Sequence, residues 1–118
     1  MAFSYKKLPD GKYKVSGLEN ITDYNQLFLD LYNRFDRAVM AYGYAKNNTR
    51  LVVVDFENNL RKEGNVDNAE KISTIRKTRN LLVHGNGPAF TINMDMIKSL
   101  IALIINLEEK VEFLKKQK

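Results

Sequence analysis

The chain has 118 residues, 44% of them apolar and 28% charged, a balance that fits one folded domain with its own hydrophobic core. It contains no cysteine, which excludes disulfides, thiolate metal sites and cysteine nucleophiles. The formal net charge of +5 argues only weakly for a polyanionic partner, so the placement of the charges matters more than their sum.

The segment from Met1 to Lys7 lacks the apolar run of a signal peptide, and the apolar cluster from Leu100 to Ile105 is too short to cross a bilayer. The expectation is a cytoplasmic protein with no membrane segment. Residues 1–118 read as a single domain, with residues 1–20 as an N-terminal extension.

That extension reads as a β-hairpin. Tyr5-Lys6-Lys7-Leu8 and Lys12-Tyr13-Lys14-Val15 alternate in polarity, and Pro9-Asp10-Gly11 supplies the turn. An isolated hairpin is marginal in water, so this one must lean on the rest of the domain. Gly17 and Asn20 end the pattern.

Four helices follow. The first starts near Thr22 or Asp23 and runs to about Lys46, with Tyr24, Leu27, Phe28, Leu31, Phe35, Ala38, Val39 and Tyr42 at helical spacing. Asp30, Arg34, Asp36 and Arg37 occupy its other side. Leu51-Val52-Val53-Val54 has strand-like composition, yet Phe56 and Leu60 continue it with a helical period. A second helix is therefore expected from Thr49 to Glu63, stopped by Gly64, with Asp55, Glu57, Asn58, Asn59 and Arg61 as its wet face.

Asp67 and Glu70 have the spacing of a capping box for the third helix, whose apolar stripe is Ala69, Ile72, Ile75, Leu82 and Val83 and which ends at His84-Gly85. After the turn-rich Gly85-Asn86-Gly87-Pro88, Asn93 caps a long fourth helix. Its core face runs through Ile97, Leu100, Ile101, Ile104, Leu107 or Glu108, Val111 and Leu114. The fold class is all-α, an up-and-down four-helix bundle carrying a short hairpin. The fourth helix is apolar nearly all round from Met96 to Leu107, which predicts a dimer interface in addition to a core.

The chemistry concentrates in Arg79-Asn80-Leu81-Leu82-Val83-His84. His84 is the only histidine, and from Lys71 to Met94 the chain holds Lys71, Arg76, Lys77 and Arg79 but no Asp or Glu. A proton-transfer group in a carboxylate-free stretch suits chemistry on a phosphate. Arg79 and His84 are five residues apart, about 140° around an ideal helix, and so do not share a face. Either His84 lies beyond the helical turn, or the working site combines two chains.

Arg79-Asn80-x-x-x-His84 resembles the signature of the HEPN superfamily (higher eukaryotes and prokaryotes nucleotide-binding domains): an arginine, a polar residue, a few variable positions and a histidine. The family's fold is a small helical bundle with this motif at the end of its third helix, where it stands in this sequence. The N-terminal hairpin departs from the minimal family bundle. The resemblance implies a metal-independent endoribonuclease acting on RNA, without a cofactor, as a homodimer with two Arg79 and two His84 around one cleft. It also implies a toxin or phage-defence effector, with an antitoxin protein as a further partner.

In that chemistry histidine serves as acid or base, and arginine holds the charge developing on the phosphoryl oxygens. Asn80 orients either His84 or the phosphate. Arg76, Lys77 and Asn86 are the candidate nucleic-acid contacts, and of the aromatic residues only Tyr44 stands where it could reach a stacked base. Plainer readings compete: His84 as a helix C-cap, Arg79 as a surface arginine pairing across helices, and Arg76 and Lys77 as solvated residues. The competing functions are a non-catalytic module binding nucleic acid, a nucleotide or a protein, and a structural dimerisation protein. A phosphate-cradling P-loop is excluded by sequence, and one histidine without cysteine cannot build an ordinary zinc site.

Overall fold

The computed structural model describes residues 3–19, 21–84 and 92–117. Strands β1 (Ser4–Lys7) and β2 (Tyr13–Ser16) precede helices α1 (Tyr24–Asn47), α2 (Val53–Lys62), α3 (Val66–His84) and α4 (Met94–Lys116). The described chain is therefore mostly helical, with one antiparallel hairpin at its start. α1 packs most extensively on α4, and α2 on α3.

The hairpin closes as its turn residues require. Gly11 donates to the Leu8 carbonyl at 2.9 Å, its φ of 87° lying in the left-handed region where a side chain is strained. The pairing sets Tyr5 opposite Val15 and Lys6 opposite Lys14. Tyr5, Tyr13 and Val15 thus share one face, which packs on the helical core, while two lysines oppose each other on the outer face. Like charges across a strand pair destabilise it, so the inner face must hold the hairpin. It does so partly through the Tyr13 hydroxyl, which donates to Glu109 on α4.

α1 is capped by Asp23, whose carboxylate accepts from the Gln26 amide at 3.0 Å, and ends at Asn48 in the left-handed conformation. Its stripe is buried as the period predicts, with Leu27, Phe28, Leu31, Phe35, Ala38 and Val39 in the core. Arg34, expected on the wet side, instead reaches α4. Its Nε and Nη2 each donate to Glu108 at 2.8 Å, and its guanidinium lies 4.3 Å from the centre of the Phe3 ring. Leu107 takes the core position, and Glu108 beside it makes this pair.

The second helix starts four residues later than the sequence suggests. Thr49 to Val52 form a non-helical connector, and Val52 ends it in an extended conformation with no side-chain cap. The cause lies one helix back, at Gly43. A Cβ there would stand 2.5 Å from the Thr49 carbonyl oxygen and 2.6 Å from the Leu51 Cβ. The connector lies directly on the bare backbone of α1, an approach only glycine permits. Gly43→Ala is expected to destabilise the protein by about 2 kcal/mol, because backbone as well as side-chain atoms must move. Urea denaturation checks this, and an unchanged midpoint would refute the close approach.

The end of α2 follows the expected glycine stop. Gly64 has φ 84°, its amide donates to Arg61, and the Asn65 amide donates to the Leu60 carbonyl at 2.8 Å, the double bond of a Schellman motif. The start of α3 corrects the capping box. Asp67 already lies inside the first turn, and the Glu70 carboxylate turns to Arg61 at 2.6 Å instead of back to the helix start. Arg61 holds the Glu70 carboxyl below its ordinary range through that bond. Asn93 caps α4 as expected, accepting from the Met96 amide at 2.9 Å.

α4 buries Ile97, Leu100, Ile101, Ile104, Ile105, Leu107 and Val111 within one chain. α1 covers one side of this face, and on the other the hairpin and Leu18 line an apolar cavity of about 730 Å³ with Ile101 and Ile105. No helix among the described residues is long and apolar enough to cross a membrane.

Candidate functional site

The last two turns of α3 carry Arg79, Asn80 and His84, and the helix continues through His84. The histidine therefore does not lie beyond the helical turn, and the separation of about 140° from Arg79 applies within one chain. The two residues face different surroundings. Along the exposed side of α3, Glu70, Thr74, Lys77, Leu81 and His84 recur at helical spacing, all open to solvent. The opposite side buries Ile72, Ile75 and Thr78, with Arg79 and Leu82 half-buried at its edge.

Arg79 leans onto α1. Its guanidinium carbon lies 5.6 Å from the centre of the Tyr32 ring, and its Nη1 donates to the neighbouring Asn80 side-chain oxygen at 3.3 Å. Asn80 accordingly supports Arg79 and makes no bond to His84. The His84 side chain has no hydrogen bond or ion pair among the described residues. Of the large apolar side chains left exposed, Leu81 and Val83 stand in the same turn as His84.

The expected nucleic-acid contacts occupy three different situations. Lys77 is exposed. Arg76 donates through Nε to the Glu57 carboxylate of α2 at 3.1 Å, which leaves the outer edge of its guanidinium unbonded. Asn86 lies outside the described residues, in the stretch 85–91 that follows α3. Tyr44 is 49% exposed near the end of α1, while Tyr42 packs on Phe56.

Glu57 was expected on the wet face of α2 and is instead 4% exposed. It accepts from Arg76 of α3 and from Arg61 one helical turn along its own helix at 3.2 Å. A carboxylate is buried there because two guanidinium groups replace its water. The signal was present in the spacing: Glu57 follows Val53 by four residues and precedes Leu60 by three, which places it on the apolar stripe. Asp55, two positions away, stays exposed.

Tyr32 is the other residue the period locates without revealing its setting. It stands between Phe28 and Phe35 on the α1 stripe and is 8% exposed. Burial and the nearby Asp36 carboxylate push its hydroxyl above the ordinary tyrosine value, while Arg79 and Arg76 pull it back. Tyr32, Arg79, Arg76 and Glu57 therefore form one polar junction among α1, α2 and α3. A separate groove of about 870 Å³ runs between α1 and the end of α4, lined by Tyr5, Arg34, Arg37, Glu108 and Phe113, and within it Arg34 pairs with Glu108. Among the described residues, no group of three or more His, Asp or Glu side chains is placed to hold a metal ion.

The chain matches no protein-family model, no curated protein and no solved structure.

Proposed function

We propose that the protein is a metal-independent endoribonuclease of HEPN type, an up-and-down four-helix bundle that works as a homodimer in the cytoplasm. One observation carries this reading: Arg79 and His84 close the same helix on different sides, with the His84 side chain exposed and, among the described residues, unpaired, and with exposed Leu81 one turn before it. A second copy packed on Leu81, which shares the exposed side of α3 with His84, would bring two His84 and two Arg79 to one cleft, in a symmetric arrangement of the commonest kind.

The cleavage then needs no outside reagent. One His84 takes the proton of an RNA 2′-hydroxyl, whose oxygen bonds to the adjacent phosphorus. The bond from phosphorus to the 5′-oxygen breaks, and the partner's His84 protonates that leaving oxygen. Arg79 holds the charge on the non-bridging oxygens throughout. The products are a 2′,3′-cyclic phosphate and a 5′-hydroxyl. A role as toxin or phage-defence effector, with an antitoxin protein as partner, belongs to the same proposal.

A second reading, a non-catalytic nucleic-acid-binding module, is favoured by the engagement of Arg79 with Tyr32 and Asn80. Incubation with single-stranded RNA in EDTA separates the two. Cleavage that survives the chelator, leaves cyclic-phosphate ends, and disappears in folded Arg79→Ala and His84→Ala proteins is the expected result. Salt-sensitive binding without cleavage would assign the module instead.

A further inference from the structure

Among the described residues, every fully buried side-chain nitrogen or oxygen has a hydrogen-bond partner. The Tyr32 hydroxyl has none, although the residue is 8% exposed. The small accessible part of this side chain must therefore include its hydroxyl. A tyrosine buried to this degree ordinarily ends on a protein acceptor, because its O–H is costly to leave unmatched. Here the ring is held by Phe35, at a centroid distance of 6.4 Å, and its face is covered by the Arg79 guanidinium. The hydroxyl emerges at the α1–α3 boundary beside Arg79, the arginine that the proposed function assigns to phosphate.

We propose that Tyr32 is a substrate-binding residue, its hydroxyl donating a hydrogen bond to the same RNA phosphodiester that Arg79 contacts. This rests on the endoribonuclease reading for the identity of the ligand and adds a second helix to the site. The outer edge of Arg76 flanks the same junction, with its Nε donating to Glu57 at 3.1 Å. Asp36 and Glu57 are the acidic groups near the hydroxyl. The charge of Glu57 is matched by Arg61 and Arg76, and Asp36 favours the protonated hydroxyl, which keeps it a donor. A neutral donor beside a fixed cation contacts an anion at two points without adding charge to a crowded junction.

Tyr32→Phe isolates the claim, because it keeps the ring, its packing and the stack with Arg79 while removing one oxygen. The probe is a short 2′-O-methyl oligoribonucleotide, which keeps the phosphates and cannot be cleaved. Tyr32→Phe is expected to weaken its binding roughly tenfold or more, with unchanged thermal unfolding and an unchanged dependence on salt. Arg79→Ala is expected to weaken binding and lower the salt slope by roughly one. In the wild type, the Tyr32 ring resonances should shift as the oligonucleotide is added.

Equal affinity of Tyr32→Phe and wild type, unshifted Tyr32 resonances, or no binding by the wild type would each overturn the assignment. The two readings fail separately. Weakened binding by Tyr32→Phe in a protein that cuts no RNA removes the nuclease and keeps the phosphate site. Normal binding and cleavage by Tyr32→Phe keep the nuclease and remove Tyr32 from it.

Discussion

If His84 is the proposed general acid or base, its substitution by Ala is expected to lower RNA cleavage by roughly two to four orders of magnitude. The more discriminating test lies in mixtures. When wild-type and His84→Ala chains are co-refolded in equal amounts, a cleft that needs both histidines survives only in dimers of two wild-type chains. The mixture should then keep roughly a quarter of the wild-type rate, whereas independent one-chain sites would keep roughly half. The same mixture analysed by sedimentation must contain dimers at the assay concentration. A half-maximal rate, or a monomer that cleaves RNA, would remove the composite site. The prediction follows from α3 remaining helical through His84, which keeps Arg79 and His84 of one chain about 140° apart.

How far the sequence reached depended on the range of the interaction involved. Asp23, Gly11, Gly64 and Asn93 were readable because caps and turns are decided within about four residues. The stripe of α1 was readable because its period repeats over six turns. The start of α2 was not, since the connector from Thr49 to Val52 is set by the absence of a side chain at Gly43, on another helix. Asp67 and Glu70 had capping-box spacing, but a nearby Arg61 offered Glu70 a stronger, charged partner. At the site, the order Arg79, Asn80, His84 was visible as a string. What no string displays is the company each residue keeps: Tyr32 beneath Arg79, Glu57 behind Arg76, and an exposed His84.

That company predicts effects of opposite sign at Glu57. Removing one partner of a buried ion pair usually costs more than the pair contributed, because the remaining charge is stranded. At Glu57 the stranded groups are Arg61 and Arg76, whose side chains are 36% and 26% exposed, so water recovers part of the loss. Glu57→Ala should therefore destabilise the protein by about 2 kcal/mol, less than for a fully buried pair, read as a lower urea midpoint. The same substitution releases Arg76 from its anchor and deletes a negative charge from the junction beside Arg79 and Tyr32. RNA affinity should rise at low salt, with a steeper salt dependence, as one more cation becomes available to a phosphate. Glu57→Gln keeps the shape of the side chain and should give the same pair of changes with a smaller loss of stability. A variant that loses stability and affinity together would mean that Glu57 holds Arg76 in its working position, and that its charge does not restrain the site.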